Sequence, residues 1–161
     1  MNDCSALISS GIVTLSGNVG GSGTITATSK NNFIIEKIRT SNHPNGYGLQ
    51  TNYATNFTIN ENKAYDGGYG IMINHSSYVQ LRNIEIYNIT NSNDGLEISN
   101  SSHISADTII THDNDRVGIH MSSVSGSTLS GIISYNNGIH GVMMSISDYN
   151  ILTNISSYNN A

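Results

Sequence analysis

Glu97 and His120 are the two side chains whose types best suit acid–base chemistry, and Tyr69 is a third group able to carry a proton. A carboxylate beside an imidazole raises the histidine's pKa and orients it as an acid or base, while an arginine beside a tyrosine lowers the phenol's. Arg116 is placed to be that arginine. With Asn74, His75 and Asp94 it completes a set of groups suited to holding a polar or carboxylated substrate. The plain alternatives are a surface ion pair for Glu97 and His120, and a structural or sugar-stacking ring for Tyr69. These residues are far apart in the chain, so any shared chemistry requires a fold that stacks distant segments.

The sequence carries such a device. GIMINHSSYVQLRNIEIYN, GLEISNSSHISADTIITHD, GIHMSSVSGSTLSGIISYN and GVMMSISDYNILTNISSYN are four copies of one pattern, opening at Gly70, Gly95, Gly118 and Gly141, at intervals of 25, 23 and 23 residues. A period in that range marks a solenoid whose single coil has no core of its own. Mostly apolar residues stand one, three, nine, eleven, fourteen and sixteen positions after the glycines; in one copy they are Ile71, Ile73, Val79, Leu81, Ile84 and Ile86. Three pairs spaced by two are three short strands with alternate side chains inward, and β-branched residues dominate them. Helical spacing is absent. The expected fold is all-β: a single-stranded right-handed parallel β-helix in which each coil rises by about 4.8 Å. The register continues backwards to Gly48 and Thr24, giving six coils that start near residues 24, 48, 70, 95, 118 and 141. Residues 1–23 read as a loose first coil or cap.

Stacked coils turn sequence positions into columns. Thr26, Gln50, Met72, Glu97, His120 and Met143 form one outward column of the first strand, and Thr28, Asn52, Asn74, Ser99, Ser122 and Ser145 the next. Tyr47, Tyr69, Asp94, Val117 and His140 stand at the turn just before. Tyr69, Asn74, His75, Asp94, Glu97, Arg116 and His120 therefore gather on one face of three adjacent coils. Glu97 and His120, one coil apart, have Cα atoms about 5 Å apart, within hydrogen-bonding reach. Eighteen residues after each start stands Asn42, Asp66, Asn88, Asp113, Asn136 or Asn159, a column suited to a left-handed turn. The residues before it, Tyr65, Tyr87, His112, Tyr135 and Tyr158, should stack along the outside or at a corner.

Composition narrows the classes. Charged residues are 11% of the chain, the net charge is −5, and the six Lys and Arg residues form no run, which disfavours nucleic acid. The lone Cys4 excludes an internal disulfide. No apolar run reaches the ~18 residues of a membrane span. His103, His112 and His140 fall in different columns, so no cofactor is expected; Asp113, Asn114 and Asp115 could offer oxygen ligands to calcium but read first as turn formers. The start, MNDCSALISSGIVTL, lacks the basic flank of a signal peptide. An extracellular, cell-surface or virion location fits the composition, with homo-oligomers or end-to-end stacking covering the terminal coil edges.

The stretch THDNDRVGIHMSSVSGSTLSGIISYNNGIHGVMM resembles the catalytic β-helix of mannuronan C5-epimerases, and more broadly the repeats of carbohydrate-binding β-helix proteins and sugar hydrolases. The resemblance covers about Tyr69 to Asn160. It implies a polysaccharide partner and a reaction in which a uronate carboxylate is neutralised, the C5 proton is removed and another returns to the opposite face; a lyase eliminates instead. Tyr69 and Gly70 match the start of that family's Tyr-Gly-Phe-Asp-Pro-His motif, and Arg116 matches an arginine of its substrate groove. The motif's Asp position is Met72, its His position is Asn74 with His75 adjacent, the next-coil Asp position is Ser99, and the histidine after the arginine is Val117. Two expectations follow. The protein is an epimerase or lyase in which Tyr69, Glu97 and His120 replace the motif and Asn74, His75, Asp94 and Arg116 bind substrate, or it is a non-catalytic glycan-binding or structural β-helix of a tailspike or surface appendage.

Overall fold

The computed structural model describes residues 14–20, for the backbone alone, and 25–161. Cys4 and the first-coil opener Thr24 lie outside the described residues. In chain order the strands are β1 (Thr14–Gly20), β2 (Ile25–Thr28), β3 (Asn31–Ser41), β4 (Tyr47–Asn52), β5 (Thr55–Asn60), β6 (Lys63–Gly67) and β7 (Tyr69–Asn74). They continue as β8 (Ser77–Ile89), β9 (Leu96–Ser99), β10 (Ser102–His112), β11 (Val117–Ser122), β12 (Thr128–Tyr135), β13 (His140–Ser145) and β14 (Ile151–Tyr158). All pairing is parallel. One six-stranded sheet runs β2, β4, β7, β9, β11, β13, and one eight-stranded sheet runs β1, β3, β5, β8, β10, β12, β14 with β6 joining β3 and β8. This is a β-solenoid of about six turns in the expected register, with Ile71 opposite Leu96 and Leu96 opposite Ile119. Within the stretch 1–23, Thr14–Gly20 pairs in parallel with β3.

The second and third segments of most coils run on as one bent strand. The bend sits thirteen residues after each start, at Lys37, Glu61, Asn83, Thr108, Gly131 and Asn154, all with φ between 52° and 64°. Left-handed residues stand at three further corners of every coil. The Asn/Asp column expected to close each coil is one of them, with φ of 51° to 54°. The other two, at Ser29, Tyr53, His75, Asn100, Ser123, Ile146 and at Asn32, Asn56, Tyr78, His103, Gly126, Tyr149, turn the chain from the first sheet to the second. A left-handed residue reverses the pleat locally, so four of them close a tube without breaking its ladders.

Inside the tube the predicted columns are dry. Ile35, Ile59, Leu81, Ala106 and Leu129 form one of them, none more than 2% exposed. Each buried Ile or Leu contributes about 1.5–3 kcal/mol. Phe33 and Phe57 stack within it at 4.7 Å. The opening glycines are required by close approach. A Cβ on Gly70 would lie 1.9 Å from the Gly95 carbonyl oxygen, and one on Gly118 would lie 2.2 Å from Ser134 Oγ. A buried asparagine ladder packs beside these glycines: Asn114 Nδ2 donates to Asn137 Oδ1 at 2.9 Å, and Asn137 Nδ2 to Asn160 Oδ1 at 2.9 Å. Outside, Tyr65, Tyr87, His112, Tyr135 and Tyr158 form the expected stack, with centroids 4.8–5.2 Å apart.

Candidate functional site

Parallel stacking delivers the outward columns as read. Met72 is opposite Glu97, Glu97 opposite His120 and His120 opposite Met143, while Tyr47 is opposite Tyr69 in the column before. The expected hydrogen bond between Glu97 and His120 is absent among the described residues. His120 turns instead toward Asp94, whose Oδ2 accepts its Nδ1 at 2.9 Å. The same oxygen accepts Arg116 Nη1 at 2.9 Å, and Oδ1 accepts the Val117 amide at 3.1 Å. Asp94 precedes the sheet in a turn that tucks its side chain to 4% exposure, so its charge is desolvated and draws both donors to it. Column position alone could not show this, because His120 reaches diagonally across the ladder rather than straight across.

With Nδ1 engaged by Asp94, the free ring nitrogen of His120 is Nε2. That nitrogen is covered and has no hydrogen-bond partner. Buried polar atoms are almost always paired, so an unpartnered nitrogen beside an anchoring carboxylate has the form of an acid–base dyad. Glu97 flanks it. Burial, followed by the Asp94 carboxylate, pushes the Glu97 carboxyl above the usual range, and His120 and Arg116 pull it partly back. Tyr47, packed against Tyr69 with ring centroids 4.6 Å apart, has its phenol pushed up to about 12, chiefly by burial and then by Glu97, Tyr69 and Asp94. Tyr47 thus belongs to the cluster. Its place in the Tyr69 and Asp94 column was the available signal.

Asn74 and His75 stand apart from this group. Asn74 lies two residues further along its strand than the Glu97 column, donating to Asn52 Oδ1 at 3.1 Å and accepting from Ser99 Oγ at 2.9 Å. His75 is a left-handed corner residue stacked on Tyr53 at 4.7 Å. Asp113, Asn114 and Asp115 do not share a face: Asn114 is inside the tube, Asp113 accepts from His112 Nδ1 at 2.7 Å, and Asp115 accepts the Ser92 amide at 3.4 Å. Among the described residues no group of three or more His, Cys, Asp and Glu is arranged to hold a metal ion.

Parallel coils carrying a polar cluster on an outer sheet face define the class as a parallel β-helix. The right-handed β-helix region family matches residues 47–161, and the chain belongs to it. No curated protein sequence matches. Among solved structures, the periplasmic alginate epimerase AlgG is similar with a TM-score of 0.80 at 17% identity, over 90% of this chain and 39% of AlgG. The tailspike protein 2 enzymatically active domain of bacteriophage CBA120 gives 0.74 at 15% identity, over 82% of this chain and 22% of the other. The A-module of the Azotobacter vinelandii mannuronan C-5 epimerase AlgE4 gives 0.55 at 15% identity, over 78% and 42%. The chain thus spans less than half the length of each, and at these identities the likeness is one of fold.

Proposed function

We propose that this protein acts on a polysaccharide laid across the outer face of the six-stranded sheet, as an acid–base enzyme of the uronate epimerase or lyase kind. The observation that carries the reading is the Asp94–His120 pair with the second ring nitrogen unpartnered, next to a carboxyl and a phenol whose pKa values burial raises. An anchored imidazole with a free ring nitrogen beside groups of raised pKa is the arrangement that a proton-transfer site needs. His120 Nε2 takes the C5 proton as the electron pair moves into the uronate carboxylate. Arg116, whose fork keeps donors beyond Nη1, faces that carboxylate. A proton then returns to C5 from Tyr69, Tyr47 or Glu97, or the C4–O bond breaks, C4=C5 forms and the leaving oxygen is protonated.

The fold likeness to a periplasmic alginate epimerase, a phage tailspike and a mannuronan epimerase supports a polysaccharide partner and a location in the envelope, at the cell surface or on a virion. A second reading is favoured by the same contacts: Arg116 and His120 both bracing Asp94 is also how a non-catalytic module would tie two coils together. Incubation with alginate and polygalacturonate, following proton NMR of the uronates and absorbance of unsaturated ends, separates the two. Turnover abolished by His120→Ala and reduced at least tenfold by Glu97→Gln is the expected result. Binding without turnover, unchanged by both substitutions, would establish the module.

A further inference from the structure

The corner where the first sheet hands over to the second carries exposed aromatic rings that the reactive cluster does not use. Tyr53 and Tyr78 are 61% and 59% exposed. Each forms a two-ring stack with the histidine one coil on: Tyr53 with His75 at 4.7 Å and 23°, Tyr78 with His103 at 4.7 Å and 22°. Neither stack continues into a third ring, and Asn100 follows His75. Ser29 precedes Tyr53 in its column, Asn56 precedes Tyr78, and Gly126 follows His103. A Cβ built on Gly126 would meet nothing nearer than His103 Nε2 at 4.0 Å, so the space beside that imidazole is open.

All four aromatic residues occupy left-handed backbone, with φ of 46° to 55°. Other coils fill the same two columns with Ser29, Asn32, Asn56, Asn100, Ser123 and Gly126, residue types that suit such a turn, while the last coil carries Ile146 and Tyr149. Bulky side chains there work against local preference, and the ladders on either side hold them in place. The backbone beneath is fixed. Buried Ser76 and Ser101 accept the amides of Ala54 at 3.3 Å and Ser76 at 3.0 Å, and each donates its hydroxyl to the carbonyl two residues earlier, at 2.8 and 2.6 Å. Rings held on a rigid corner lose little entropy when a ligand stacks on them.

We propose that Tyr53, His75, Tyr78 and His103 form a second polysaccharide subsite, an aromatic strip that stacks on the apolar faces of sugar rings beyond the reactive cluster. The ligand class rests on the function proposed above. It is supported here by composition, since Tyr53–Asn56, His75–Tyr78 and Asn100–His103 contain no Asp, Glu, Lys or Arg but offer hydroxyls and amides around the rings. A ligand with apolar faces and hydroxyl edges matches that mixture. From Asp94 to Asn100 the strand spans about 20 Å, the length of a short oligosaccharide. The Asn52, Asn74 and Ser99 side chains, linked to one another, line the way.

The test is native gel electrophoresis of the full chain through alginate, polygalacturonate or dextran, comparing wild type with Tyr53→Ser, Tyr78→Asn and the double variant. These substitutions install what neighbouring coils already carry, so the thermal midpoint should hold or rise. Retardation by at least one polysaccharide should weaken about tenfold in apparent Kd for each ring removed. Equal retardation of wild type and double variant would overturn the strip and leave the function proposed above standing. So would a loss of retardation accompanied by a fall in midpoint, which would make the rings structural. Failure of all three gels to retard wild type would remove the polysaccharide reading and the strip together.

Discussion

Asp94→Asn tests the centre of the site, because one buried carboxylate receives three donors. The amide can still accept the Val117 amide hydrogen through Oδ1, but an NH2 group replaces Oδ2 and meets Arg116 Nη1 and His120 Nδ1, donor against donor. Each charge-assisted hydrogen bond contributes about 1.5–3 kcal/mol. Arg116 is 37% exposed and can turn to water, so its share is discounted. His120 is only 14% exposed and loses its anchor. The net cost comes to about 2–3 kcal/mol. For a chain of this size that lowers the thermal midpoint by about 5–10 °C. Far-UV circular dichroism during a thermal ramp reads it, and proton NMR of His120 should show that its Nδ1 hydrogen exchanges faster than in wild type. A midpoint within about 1 °C of wild type, a shift worth well under 1 kcal/mol, would refute the claim that Asp94 holds this face together. Such a result would also take away the orienting partner from the proposed acid–base pair.

Glu97→Gln should behave in the opposite way. The native carboxyl titrates above its ordinary 4.5. Below pH 4.5 it is protonated in both states and costs nothing; as pH rises through the raised native value the ionised form becomes progressively more unfavourable in the fold, so stability falls. The Gln variant should lose that fall and match or exceed wild type near pH 7, as midpoints measured across pH 4 to 8 would show; a variant less stable than wild type throughout that range would contradict it. Asn137→Ala removes the middle of the buried asparagine ladder, leaving the Asn114 amide and side chain without the Asn137 oxygen that accepts at 3.3 and 2.9 Å. A loss of about 2–3 kcal/mol is expected, concentrated in hydrogen exchange of the last two coils because a solenoid coil contacts only its neighbours.

The tube was legible because a β-helix writes its geometry into a period. The side chains at Ile71, Leu96 and Ile119 had to share a column if the repeat was real, and the Asn and Asp residues eighteen positions after each start announced one corner by residue type. Three other corners were hidden. Tyr53, His75, Thr108 and Ile146 adopt the same left-handed backbone as Asn42 without a side chain that prefers it, because ladders on both sides fix the backbone whatever the residue. The asparagine ladder was obscured in the same way, standing one residue beyond a column already assigned to the turn. The site was legible to the level of columns and no further. Stacking places Glu97 beside His120, but which carboxylate an imidazole chooses depends on side-chain direction and on competing donors, and burial of Asp94 between Arg116 and the Val117 amide settles that choice against the nearer neighbour in the ladder. The consequence reaches the chemistry. Glu97 is left without a hydrogen bond to His120, its carboxyl raised by burial and by the Asp94 charge, while His120 is anchored from behind with Nε2 unpartnered.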